Sequence, residues 1–475
     1  MIIRVLCMIV VTIMITFTSN SYSLGLPYIS FGERKSESKT ESNEKSTDKA
    51  LNTEYKEKPS IDFAKPLTLK QCIGIALKES PTIKVANINL AEEDINIQDA
   101  KSNYYPEANI SGSYSFSDKI DFGWEKENYN SAISASYLIW DQGRRKSAFL
   151  QAEAGKQAEY SRFERTTQSL IFNVIRAYYS LLAAEKIIAV DEQLLEISKR
   201  DVEKIQAFID KGWAIDADLA TTRVQQANNE LTLINDLNNL EISKANLAVI
   251  MGLEPDVVIR VIDDPDYEVY VKTGLIETEQ ILVEDMKAQS MKSRPELVEL
   301  NANKAILELA AKLAKLDRLP RLTADSSYGI ALSDYLRDKG SIGKYRSWDI
   351  LARLTFPLYD GGRSKRTVQK AAFALQKMEE NKIELEQSIA LEVHQAYLDF
   401  EKAKKSLDIT AVQVEDAKMS LDVTQGRYDL REATLIELLD VQARYARSLI
   451  NRVGAFYDYK IARRSLEKAM GILQL

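Results

Sequence analysis

The sequence predicts an α+β membrane protein, mostly helical, in which a duplicated set of very long coiled-coil helices is joined to four bilayer-crossing strands. Three observations lead there. The 475-residue chain repeats one plan. Two stretches, Arg144–Phe208 and Arg363–Tyr428, contain no proline and one glycine each. Between the helical regions lie four segments in which apolar and polar residues alternate. Composition agrees: 18 glycines and 10 prolines are about half the usual share, which argues against turn-dense all-β folds. A mean hydropathy of −0.26 excludes a polytopic helical membrane protein. With 63 basic and 70 acidic residues, the chain gives no reason to expect nucleic acid as a partner.

In chain order, Met1-Ile-Ile-Arg4 leads into an apolar run from Val5 to Phe17 and then the small-x-small site Ser21-Tyr22-Ser23, a signal peptide over 1–23. The run is short of the roughly 20 residues that span a bilayer. Cleavage would remove Cys7 and leave Cys72 alone, without an intrachain disulfide partner. Residues 24–66, rich in Ser, Glu and Lys, read as a disordered leader.

The first repeat spans 67–252 and the second 278–475, with a connector at 253–277. Pro81 and Pro106 recur as Pro295 and Pro320, displaced by 214. Asp141, Gly143 and Arg144 recur as Asp360, Gly362 and Arg363, and Met251-Gly252 recurs as Met470-Gly471, all displaced by 219. Medium helices are expected at 81–103 and 294–318, and others at 215–250 and 432–472. Each long stretch would be roughly 95–100 Å as helix, the length of a medium and a neighbouring helix stacked end to end. Ile389, Val393, Ala396, Phe400, Ala403, Leu407, Ala411 and Val414 form a coiled-coil seam. Leu170, Val174, Ala177, Leu181, Ala184, Ile188 and Leu195 mark the same register in the first copy, with Glu192 its polar position.

Strands are expected near 107–117, 129–140, 321–332 and 346–358. Tyr137, Ile139, Leu322, Leu354 and Phe356 are assigned to lipid, and Ser134, Ser136, Thr323, Arg353 and Thr355 to a lumen. Four strands cannot close, and lipid does not tolerate open edges, so closure requires several chains. Two copies would fill their lumen with side chains, whereas a homotrimer of twelve strands leaves an aqueous opening.

The passage Phe356-Pro-Leu-Tyr-Asp-Gly-Gly-Arg363 and its counterpart Leu138-Ile-Trp-Asp-Gln-Gly-Arg144 carry a strand-to-helix junction motif: Asp141, Gly143 and Arg144, then Asp360, Gly361, Gly362 and Arg363. With the duplication, this resembles the TolC-like outer-membrane efflux protein (outer membrane factor) family over nearly all of 67–473. The resemblance implies a β-barrel shared between protomers, four strands per chain and twelve in a trimer, continued by a coiled-coil tunnel into the periplasm. It implies an outer-membrane exit duct of a tripartite efflux or type I secretion system. The partners would be a periplasmic adaptor (membrane fusion protein), an inner-membrane pump and outer-membrane lipid, and 253–277 would form an equatorial belt. Gly212 matches a tip glycine, Trp213 follows it, and Arg431 stands where the second tip glycine is expected; these make the adaptor-docking tips. Glu437 and Asp440 match acidic rings of a periplasmic gate, and Asp218 and Tyr428 match polar residues that hold it closed. Ala433 stands where the family has an arginine, which implies either weaker closure or another partner, for instance Arg431.

Two other function classes compete. A periplasmic coiled-coil adaptor would also have long helices, but with one hairpin and Gly-rich β-domains. An enzyme is disfavoured: there is no His–Cys cluster, Gly-rich phosphate loop or nucleophile motif. No residue is assigned as catalytic, cofactor-binding or metal-ligating, and His394 reads as structural. Scattered methionines give no sign of metal cargo.

Overall fold

The computed structural model describes residues 65–119, 124–273, 283–335 and 343–473. The expected signal peptide, most of the leader and the end of the connector lie outside the described residues.

The duplication is exact in helix length. α1 (Leu69–Glu79) and α2 (Pro81–Ser102) have 11 and 22 residues, as do α6 (Val283–Ser293) and α7 (Pro295–Leu316). The long helices α3 (Arg144–Asp210) and α8 (Arg363–Asp429) have 67 residues each, and α4 (Asp216–Ile250) and α9 (Leu435–Ala469) have 35 each. α5 (Pro265–Thr273) belongs to the connector. Starts follow local chemistry. Thr68 opens α1 with a capping box, its Oγ1 accepting from the Gln71 N–H at 3.3 Å. Pro81 and Pro295 occupy first helical positions, where a missing N–H costs nothing.

The short helices do stack end to end, and the repeated Met-Gly pair is the joint. Gly252 ends α4 at φ 81° with the place of a Cβ only 2.6 Å from the Glu79 carbonyl oxygen, where α1 gives way to α2. Gly471 ends α9 at φ 73° in the same relation to Ser293, where α6 gives way to α7. Only a residue without a side chain lets the helix ends approach so closely.

Strands β1 (Glu107–Lys119), β2 (Trp124–Trp140), β3 (Arg321–Tyr335) and β4 (Gly343–Thr355) form one antiparallel sheet in that order. Cross-strand register collects the apolar set on one face, in rows such as Ile110–Ile133–Tyr328–Trp348. The other face carries Asn109–Ser134–Ser327–Asp349, and Ser136 Oγ donates to Asp325 Oδ1 at 2.8 Å. Two expectations shift. A bulge between Leu138 and Trp140 pairs Trp140 with Leu322, so Trp140 continues the apolar face where alternation assigned Ile139. Phe356 lies one residue past β4.

The α8 seam is buried as expected, except that Thr410 replaces Ala411: the connector reaches across, and the Tyr270 hydroxyl donates to the Leu407 carbonyl at 2.9 Å beside Thr410. In α3 the polar seam position is Asp191, not Glu192, and Ala184 and Leu195 are half-buried. His394 is exposed rather than in the seam. At mid-height, Tyr178, Tyr179, Tyr267, Tyr270, Phe456 and Tyr457 form an aromatic cluster between the connector, α3 and α9. Tyr178, halfway along α3, donates to the Ile262 carbonyl at 2.6 Å, and Lys460 pairs with Asp264 at 3.2 Å. Among the described residues, no helix is long and apolar enough to cross a membrane.

Candidate functional site

Both long helices turn back in the same way. α3 ends at Gly212 (φ 75°), and the Trp213 N–H reaches the Phe208 carbonyl at 2.8 Å. α8 ends at Arg431 (φ 67°), and the Glu432 N–H reaches the Arg427 carbonyl at 2.7 Å. These bonds satisfy carbonyls orphaned at a helix C-terminus. The second tip therefore keeps the left-handed turn without its glycine, at a cost of roughly 1–2 kcal/mol.

The tips meet each other. The Arg431 guanidinium lies 4.1 Å from the Trp213 ring centroid, Lys211 Nζ lies 5.0 Å away, and Phe208 meets the indole edge-on at 6.0 Å. Beneath them Ile205, Leu219 and Leu435 form a small core, flanked by Tyr428 and Leu439. Lys204 pairs with Asp429 and sits 5.3 Å from the Tyr428 centroid. Burial pushes the Tyr428 phenol up, reinforced by Asp218, Asp201 and Asp429. The Trp213–Arg431 contact was invisible in the sequence, because 218 residues separate the two.

The four expected gate residues all stand within two turns of the tips. Asp218 accepts from the Ile215 N–H at 3.3 Å, capping α4. Glu437 lies in the first turn of α9, where the Thr434 hydroxyl accepts from its N–H at 3.2 Å. Each acid has a basic neighbour that sequence reasoning missed: Arg427 lies 3.9 Å from Glu437, and Arg444 lies 2.6 Å from Asp440 at i,i+4. The i,i+4 spacing could have flagged Arg444. Arg431, the expected substitute for the missing arginine at Ala433, is engaged with Trp213 instead. Arg427 comes from the far side of the turn, and its Nη2 also donates to the Glu432 carbonyl at 2.9 Å. All four side chains of these two pairs are about half exposed or more.

At the opposite end, the junction motif is a double left-handed turn. Gln142 and Gly143 have φ 60° and 86°, and Gly361 and Gly362 have φ 63° and 79°. The aspartate in front caps the new helix: Asp141 accepts from the N–H groups of Gly143 (3.1 Å) and Arg145 (2.7 Å), and Asp360 from those of Gly362 (3.0 Å) and Ser364 (2.9 Å). The Ser364 hydroxyl and N–H hold the Asp360 carboxyl down to about 2. Arg144 Nη1 donates to Asp317 at 2.7 Å and Nη2 to the Leu316 carbonyl, tying α3 to the C-terminus of α7. Its repeat partner Arg363 is exposed.

The profile of the family described as outer membrane efflux protein matches residues 72–253 and 288–472. The outer membrane protein TolC of Vibrio cholerae is 23% identical over 395 residues, covering 79% of this chain and 84% of the relative. A crystal structure of CusC, described in terms of transmembrane channel formation, superposes with a TM-score of 0.72 at 16% identity, over 85% of this chain and 92% of that one. The open-state outer membrane channel MtrE of Neisseria gonorrhoeae superposes at 0.70 and 18% identity, over 86% and 89%.

Proposed function

The chain belongs to the outer membrane efflux protein family, and from that premise we propose that it is a passive trimeric exit duct in the outer membrane, served by a periplasmic adaptor and an inner-membrane pump. The observation that carries the trimer is an unfinished wall. The sheet runs β1-β2-β3-β4 and stops, leaving β1 and β4 as edges. The helical layer likewise ends in α2 and α4 on one flank and α8 on the other.

Both flanks are apolar at heptad spacing. Leu391 and Leu398, and Val412 and Met419, are more than half exposed on the side of α8 away from its buried seam. Ile88 and Ile95 on α2, and Val224 and Leu231 on α4, answer them. Each α8 flank seats on the α2–α4 flank of the next protomer, and each β4 edge pairs with the next β1. Three copies give twelve strands, the count that leaves an aqueous bore. The Ile110–Trp348 face then meets lipid and the serine- and aspartate-bearing face lines the lumen.

The tips are the adaptor-docking surface, and Glu437 and Asp440 ring the tunnel mouth, partly compensated by Arg427 and Arg444. Unheated gel electrophoresis of purified outer membranes tests this reading. A heat-labile oligomer embedded in the membrane is expected; a monomer in the soluble periplasmic fraction would reject it in favour of an adaptor.

A further inference from the structure

Asp191 occupies a seam position of α3 seven residues from Ala184 and from Ser198, and it is only 3% exposed. It lines a cavity of about 280 Å³ between α3, α4 and α9, together with Ser198, Gln225, Asn229, Gln442 and Arg447. Its Oδ2 is buried and has no hydrogen-bond partner. Three of the polar neighbours send donors elsewhere: Ser198 to the Leu195 carbonyl (2.9 Å), Gln442 to Asp201 (3.0 Å) and Gln225 to Asn229 (2.9 Å).

The charged groups facing Asp191 are few. From α4 comes a second acid, Asp236, which continues at helical spacing the stripe of Gln225, Asn229 and Thr232 that lines the cavity, and which accepts from Asn239 at 3.2 Å. From α9 comes Arg447, exposed at the cavity rim. Neither acid is in an ion pair among the described residues. A buried carboxylate with no counter-charge costs several kcal/mol, more when a second carboxylate adjoins it.

We propose that Asp191 and Asp236 hold one proton between them and form a pH-operated catch across the α3–α4 seam, roughly 29 Å above the tips. With the proton in place, one carboxyl donates to the other and the seam closes. Without it, two anions face each other across the seam with no cation paired to either, and push α4 off α3. Burial first, and the adjoining Asp236 second, push the Asp191 carboxyl up to about 7. The folded seam thus binds the proton more tightly than the open one. Stability is greatest below the ordinary aspartate value of 3.8, falls as pH rises through about 7, and is level above that.

Hydrogen exchange of the full-length oligomer in detergent, corrected for intrinsic rates, tests the catch at pH 5.5 and 8. Protection of residues 185–205 and 228–243 should fall by roughly tenfold or more at the higher pH. Asp191→Asn, which keeps the shape and can still donate, should remove that dependence. A wild-type seam indifferent to pH, or an Asn variant with undiminished pH dependence, would overturn the proposal. So would recovery of protection at pH 8 on adding magnesium or calcium chloride, which would make the pair a metal site. Infrared difference spectroscopy gives a readout independent of variant folding. A protonated-carboxyl stretch should persist in the wild type at pH 6 and vanish on raising the pH to 8; its absence at pH 6 would also sink the idea.

Discussion

Glu437 and Asp440 illustrate how much a single charge depends on its neighbours. Two acids three residues apart share a helix face, and three copies around a narrow bore would attract cations and repel anions. In each protomer, however, Arg427 stands 3.9 Å from Glu437 and Arg444 2.6 Å from Asp440. Such half-exposed pairs are worth at most about 1 kcal/mol, so in the proposed trimer they would temper a ring of these acids without silencing it. Planar-bilayer recording should give a cation-selective pore blocked by divalent or trivalent cations from the periplasmic side. Glu437→Gln with Asp440→Asn should abolish the block. Arg427→Gln should strengthen it, because the acid it shields is freed. An unchanged block in both variants would mean that the acids are a solvated face.

At the scale of elements, the helix joints carry the sharpest expectation. Gly252→Ala and Gly471→Ala each force a side chain into a left-handed turn and against backbone atoms 2.6–2.9 Å away. Turn strain and overpacking together should cost roughly 2–4 kcal/mol in chemical unfolding. Gly454→Ala is the control: it lies within α9 with nothing within 4 Å of the added methyl, and should stabilise by about 0.5–1 kcal/mol. Equal effects at the three positions would mean that the ends of α4 and α9 do not bear on the α1–α2 and α6–α7 corners. At the tips, Gly212 has open space around it, so its substitution meets turn strain only. Gly212→Trp should leave the oligomer intact and abolish pull-down of the adaptor.

For the whole molecule, the duplication predicts contacts between copies. Arg144 ties α3 to the end of α7 at Leu316 and Asp317. Shifting by the repeat sends Arg363 to the end of α2, at Ser102 and Asn103, and in the proposed trimer α8 would reach α2 of the next protomer. Arg363→Ala should therefore lower the temperature at which the oligomer dissociates on gels, while Arg144→Ala should destabilise the protomer itself. Leu398→Asp, on the exposed flank of α8, should prevent the oligomer from forming. Identical dissociation temperatures for wild type and both flank variants would exclude this packing order.

Much of this protein is legible in sequence because its repeats are regular. Proline positions, heptad spacing and the 214- and 219-residue displacements place the medium and long helices to within about three residues, since helix caps and heptads are local physics, whereas strand ends differ by up to five residues and α5 in the connector is not anticipated. The repeated Met-Gly pair was visible, but its reason was not: the close approach involves the α1–α2 corner, far away in the chain. The same holds for Arg431 on Trp213, for Arg427 beside Glu437, and for Asp191 facing Asp236. Charge partners, buried acids and helix joints are set by which faces meet, and pattern along one chain leaves that undetermined. Tertiary packing alone decided them, because it chooses which side chains lose water and which neighbours must compensate.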